Sequence, residues 1–192
     1  MTPPRLFSEW RTGWRLRRGT AAYAAFISSE PDHADVDWLA AAATGGDTDR
    51  ARWELRYARR ALGLLVAVRD ALDDRTGSMV ARELAEALAV DRNVAAGMVR
   101  VAERQFNDRL SVYRAVLMDR SAGEGTGSRL GRALLEAASS ERPVDERLIA
   151  RGGEILSSYA NGANEVLRKT FGSADLPEDQ PPSSVAGRSR RS

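Results

Sequence analysis

Residues Ala102–Leu117 read AERQFNDRLSVYRAVL, and the period of their apolar residues decides the fold. With Val99 added, the apolar seam is Val99, Ala102, Phe106, Leu110, Tyr113 and Leu117, at steps of three and four. That is one face of a helix and not the alternation of a strand. The spacing predicts a helix over 94–119 with its aromatic residues turned inward. Phe106→Ala is then expected to cost roughly 3–5 kcal/mol, as truncation of a core ring does.

The same period extends in both directions. Upstream, Trp53, Tyr57, Ala61, Leu64, Leu65, Val68 and Leu72 mark a long helix over 49–73, capped by Asp47, Thr48 or Asp49. Ser78 is placed to cap a shorter helix through VARELAEALAV, with Val80, Leu84 and Leu88 on one face, and Asp91–Asn93 reads as a tight connection. Downstream, a helix is expected around Arg129–Ser139 and a third long one over 145–171. The latter carries Leu148, Ile155, Tyr159, Val166 and Leu167, with Gly152 and Gly162 beside the stripe where a neighbouring helix packs closely. Near the start, Phe7–Arg18 and Thr20–Ser29 read as two separate helices. A short helix through WLAAAAT, capped by Asp35 or Asp37, stops at Gly45–Gly46. No segment alternates as a strand does. The expected fold is an all-α single bundle of five to seven helices over 19–172, with residues 1–18 as a basic aromatic arm or helix and 173–192 as a disordered tail rich in Pro, Ser and acid.

Composition narrows the chemistry. The 192 residues are 43% hydrophobic and 29% charged, as in an ordinary globular domain. The absence of cysteine removes disulfides, thiolate nucleophiles and cysteine-type zinc sites. Lys169 is the only lysine among 29 basic residues, an arginine enrichment that points to a GC-rich bacterial genome. Formal net charge is +2, so no global field for nucleic acid is implied. The longest apolar run, Ala61–Val68, falls far short of the ~20 residues of a membrane span. No apolar region follows the basic N-terminus as in a signal peptide. The expected location is cytoplasmic, peripheral to the inner membrane if the N-terminal arm meets lipid.

Recognisable catalytic players are few. The only histidine, His33, lies among Asp32, Asp35 and Asp37, a spacing that suits helix caps better than a metal loop. The Gly123–Ser128 loop, GEGTGS, follows a helix and no GK[ST] appears in it, so it is a turn and not a phosphate cradle. No serine is marked as a partner for His33. Glu83, Glu86 and Glu103 sit among arginines at helical spacing, as on a solvated face. A carboxylate-only active site is the remaining enzymatic option, and no residue singles it out. No metal, no cofactor and no catalysis are therefore expected.

Two surfaces remain for binding. In the N-terminal LFSEWRTGWRLRR, Trp10 and Trp14 share one side with Phe7, and Arg11, Arg15 and Arg18 share another. That pattern suits core docking, a partner, or a membrane interface. On the 94–119 helix, Arg100, Glu103, Arg109 and Arg114 are the charges left to face a partner. Ala85–Val101 loosely resembles a helix-turn-helix, and Arg92, Arg100 and Arg104 supply the alternative of a small DNA-binding regulator, although Asp91, Glu103 and Asp108 dilute that field and the second helix of the pair is too long for a recognition helix.

The segment Val99–Leu117 resembles part of the ubiquinol–cytochrome c chaperone family through Arg100, Ala102, Glu103, Phe106, Arg109 and Tyr113, with helical material on either side in comparable order. It departs from the family at Asn107 and Asp108, where an aromatic and a small residue are usual. The resemblance covers about 20 residues, of types common in helices. It implies a helical assembly factor that binds a membrane-protein client during respiratory-complex assembly, and no catalysis. The expected function is thus a non-enzymatic binding or assembly module, chaperone-like, for a protein partner.

Overall fold

The computed structural model describes residues 5–71, 74–95, 97–119, 123–139 and 144–172, with side chains from residue 13 onward. Within them the fold is all-α, as the periodicity predicts. Its helices are α1 (Arg5–Ile27), α2 (His33–Leu39), α3 (Thr48–Asp70), α4 (Asp74–Ala89), α5 (Val99–Met118), α6 (Thr126–Ala138) and α7 (Glu146–Phe171). The expected tail, 173–192, lies outside the described residues, as does Leu72.

α3 is the axis of the bundle. Its first half joins Val36 and Leu39 of α2, Tyr113 of α5, Leu130 and Leu134 of α6, and Ile149 and Leu156 of α7 in one core. Its second half joins Tyr23 and Ile27 of α1, Val80 and Leu84 of α4, and Ala163 and Leu167 of α7 in another. A helix covered by neighbours on several sides buries more than one stripe, so Ala51, Leu55, Ala58 and Leu62 are enclosed as well as the predicted Tyr57, Ala61 and Leu64. Val68 departs from its predicted place: it is 61% exposed.

Several boundaries differ from expectation. The two N-terminal helices are one, and the boundary drawn at residue 18 falls inside α1. Thr20 stabilises the join by donating its hydroxyl back to Leu16 and Arg17 carbonyls. Asp32, not Asp35 or Asp37, caps α2 by accepting from the Ala34 amide at 2.8 Å; α2 then continues as a π-helical segment over Ala40–Thr44. α4 starts at Asp74, and Ser78 is an interior residue that donates back to the Asp74 carbonyl. α5 begins at Val99 and not Val94, because Gly97 takes a left-handed φ of 86° that helical backbone does not permit. The α4–α5 connection is therefore longer than the three residues expected.

α6 and α7 meet backbone to backbone. Gly127 and Gly131 are one turn apart on α6, facing Gly152 and Gly153 of α7. A Cβ built on Gly131 would stand 2.1 Å from the Ile149 carbonyl oxygen and 2.6 Å from the Gly153 nitrogen. The close packing expected at Gly152 is thus real, and Gly162 has only the Phe26 ring near it, at 3.5 Å.

α5 is the least enclosed of the long helices. Of its predicted seam only Ala102 and Tyr113 are buried, while Phe106, Leu110 and Leu117 are half-buried. Phe106→Ala should therefore cost only about 1–2 kcal/mol in a urea titration, as for a side chain that keeps part of its surface in water. A loss of 4 kcal/mol or more would show that the ring is sealed in the core.

Candidate docking groove

The half-buried side of α5 faces an apolar trough. Arg60, Leu64 and Val68 recur every fourth residue on α3 and form its floor. Ala81, Leu84, Ala85 and Leu88 of α4 form one wall, and Glu103, Phe106, Asn107, Leu110 and Arg114 of α5 the other. This hollow is about 410 Å³. A second, of about 500 Å³, continues past the start of α4 between Leu65 and Arg69 of α3, Leu117 and Met118 of α5, and Ala160 of α7. Val68 and Arg114 line both, so the two hollows adjoin there. Met118 is 74% exposed at the far end. The α5 wall from Glu103 to Met118 is about 22 Å long at 1.5 Å per residue.

The closed end is held by buried charge. Asp91, in the α4–α5 connection, accepts from Arg56 and Arg60, each at 2.9 Å, and all three side chains are at most 7% exposed. Glu30 adds a second carboxylate to Arg56 at 3.1 Å, and the Arg56 guanidinium lies 4.5 Å over the Trp53 ring. Burial alone would raise the Asp91 carboxyl. The Arg60 hydrogen bond, the Asn93 amide and the charge of Arg56 outweigh it and bring the group down to about 2. The connection is pinned to α3, which sets where α5 starts and hence how wide the trough opens.

Of the predicted partner-facing charges, the structure separates one from the rest. Arg109 turns inward, donating to both Glu54 oxygens at 2.7 Å and to the Ala137 carbonyl at 3.2 Å. It ties α5 to α3 and α6. Burial, with Glu54's charge beside it, pushes the Tyr57 and Tyr113 phenols up. Arg100 is exposed beyond the trough, while Glu103 and Arg114 line it. None of these three has an ion-pair partner among the described residues. Arg92 and Arg104 are exposed too.

In the N-terminal arm, Trp14 is 48% exposed, with the Arg18 guanidinium 5.5 Å from its ring centroid. Arg15 and Arg18 are exposed. The side chains of Trp10 and Arg11 lie outside the described residues. The second half of α1 docks on α3, where Tyr23 donates to the Gly63 carbonyl at 2.8 Å. His33 is exposed at the start of α2, and Asp35 pairs with Arg151 at 2.9 Å. No cluster of three His, Asp or Glu that could hold a metal occurs among the described residues. No helix there is long and apolar enough to cross a membrane.

The sequence missed the trough because it placed Val68 in the core and passed over Met118. The available signal was an excess: α3 carries more apolar residues than one stripe requires, and α5 continues them on a second side. No protein-family model, no curated protein and no solved structure matches this chain.

Proposed function

We propose that the chain is a non-enzymatic helical binding module that seats an amphipathic helix of a protein partner in the trough of α3, α4 and α5. The observation that carries this is that two apolar hollows adjoin at Val68 and Arg114 along the length of α5. A trough about 22 Å long suits a helix of about four turns, and apolar residues at helical spacing would fill it as in other helix-in-groove interfaces. The resemblance of Val99–Leu117 to the ubiquinol–cytochrome c chaperone family supports an assembly role with a membrane-protein client. Two of its matching residues, Glu103 and Phe106, line the trough.

A photo-cross-linking amino acid placed at position 68, 118 or 147 in cells tests the reading. One partner segment of amphipathic helical pattern, mapped by mass spectrometry, should attach at 68 and 118 and not at 147. Attachment of unrelated segments at 68 and 118, or of the same ones at all three, discards it. The exposed Trp14–Arg18 pair favours a second reading, in which the first half of α1 is a contact arm for a membrane surface or for the same client. A cross-linker at position 14 that captures neither lipid nor protein discards that arm. Duplex DNA contact through Arg92, Arg100 and Arg104 has less support, because Glu103 and Asp108 share the helix that would have to approach phosphate.

A further inference from the structure

The α5 wall of the trough carries two charged residues, and they are of opposite sign. Glu103 lies at the end near Asp91, and Arg114 lies where the two hollows join. They are eleven residues apart on one helix, which is three turns, about 16 Å, and nearly the same angular position. Neither has an ion-pair partner among the described residues. The other charges of the trough are already matched: Arg69 donates to Asp70 at 2.7 Å, and the buried Arg56 and Arg60 are balanced by Asp91 and Glu30. Between Glu103 and Arg114 the lining is mostly apolar, with Leu64, Leu84, Leu88, Phe106 and Leu110 beside the neutral Asn107. An occupant that filled this apolar stretch would cover both charges, and each would lose water without gaining a partner unless the occupant supplied one.

We infer that the docked helix carries a cation and a carboxylate about three turns apart on its apolar face, the cation over Glu103 and the carboxylate against Arg114. This rests on the groove reading above and adds to it the polarity of the partner. The charge register fixes which end of the partner helix meets the α4–α5 connection. The apolar contacts alone do not, since leucines at helical spacing read alike in both directions. Rim charges of this kind chiefly select among partners and orientations and add less to affinity.

The test uses three fluorescein-labelled helical peptides with identical leucine spacing and, eleven residues apart, Lys and Glu, Glu and Glu, or Lys and Lys. Binding to the full chain is read by anisotropy at low salt. The Lys/Glu peptide should bind about five-fold tighter than either like-charge peptide, the scale of one exposed ion pair, and the margin should shrink with added salt. Glu103→Lys should reverse the order, making Glu/Glu the preferred peptide, and Arg114→Gln alone should erase the advantage of Lys/Glu over Lys/Lys while keeping its advantage over Glu/Glu. Glu103 and Arg114 lie outside the buried core, so circular dichroism of both variants should match that of the wild type. Equal binding of the three peptides to the wild type overturns the charge register and leaves the groove standing. Failure of all three to bind overturns the groove reading and the register together. A preference for Lys/Glu that survives Glu103→Lys overturns the assignment to Glu103.

Discussion

Gly131→Ala should destabilise the protein by about 3 kcal/mol or more, the upper range for overpacking a well-packed contact. The added methyl would fall on the Ile149 carbonyl oxygen and the Gly153 amide nitrogen. Both are main-chain atoms, so no rotamer change relieves the clash and α6 must move off α7. That separation loosens Leu130, Leu134, Ile149 and Leu156, which share one core. Gly13→Ala is the contrasting substitution: nothing stands within 4 Å of its Cβ position, and alanine gains about 1 kcal/mol of helix propensity over glycine. Urea titration measures both. A Gly131→Ala variant with an unchanged midpoint would show that the helices are not in backbone contact.

Asp91→Asn should cost about 3–5 kcal/mol, because it leaves Arg56 and Arg60 as buried cations without their shared anion. The wild type should also show a matching acid response. The Asp91 carboxyl sits at about 2 in the fold and near 3.9 in the unfolded chain. A lowered value means that the folded state favours the charged form, so this stabilisation is complete above about pH 4 and is lost as pH falls toward about 2. The loss is at most about 2–3 kcal/mol. Stability measured by denaturant titration from pH 5 to pH 2 should fall more steeply for the wild type than for Asp91→Asn. Parallel profiles would show that Asp91 does not hold the connection electrostatically. Because Asp91 anchors the start of α5, its loss should also weaken binding in the trough.

The periodicity of Ala102–Leu117 was a sound guide to secondary structure and a poorer one to burial. A seam at steps of three and four shows which side of α5 is apolar. It does not show whether the whole side is covered, and here Ala102 and Tyr113 are buried while Phe106, Leu110 and Leu117 line the hollows. Val68 illustrates the same limit on α3, since its spacing matches Leu64 but it meets Gly77 of α4 on one side and stays 61% exposed. Arg109 was grouped with Arg100, Glu103 and Arg114 on charge alone. Its partner, Glu54, is 55 residues away in sequence, and no local pattern reveals such a pairing.

The sequence by itself determined that the chain is helical throughout its patterned regions, that α3, α5 and α7 are long helices, and that thiol chemistry is absent; it did not show that α1, at 23 residues, is as long as α3. Those properties follow from local propensity, period and composition, which act over a few residues. Only the tertiary structure decided that α1 is continuous, that α6 and α7 touch through glycine, that Asp91 gathers two arginines of α3, and that α3, α4 and α5 leave an apolar trough open. These depend on which distant surfaces meet, and one stripe of apolar residues serves equally to face a neighbour within the chain or a partner outside it.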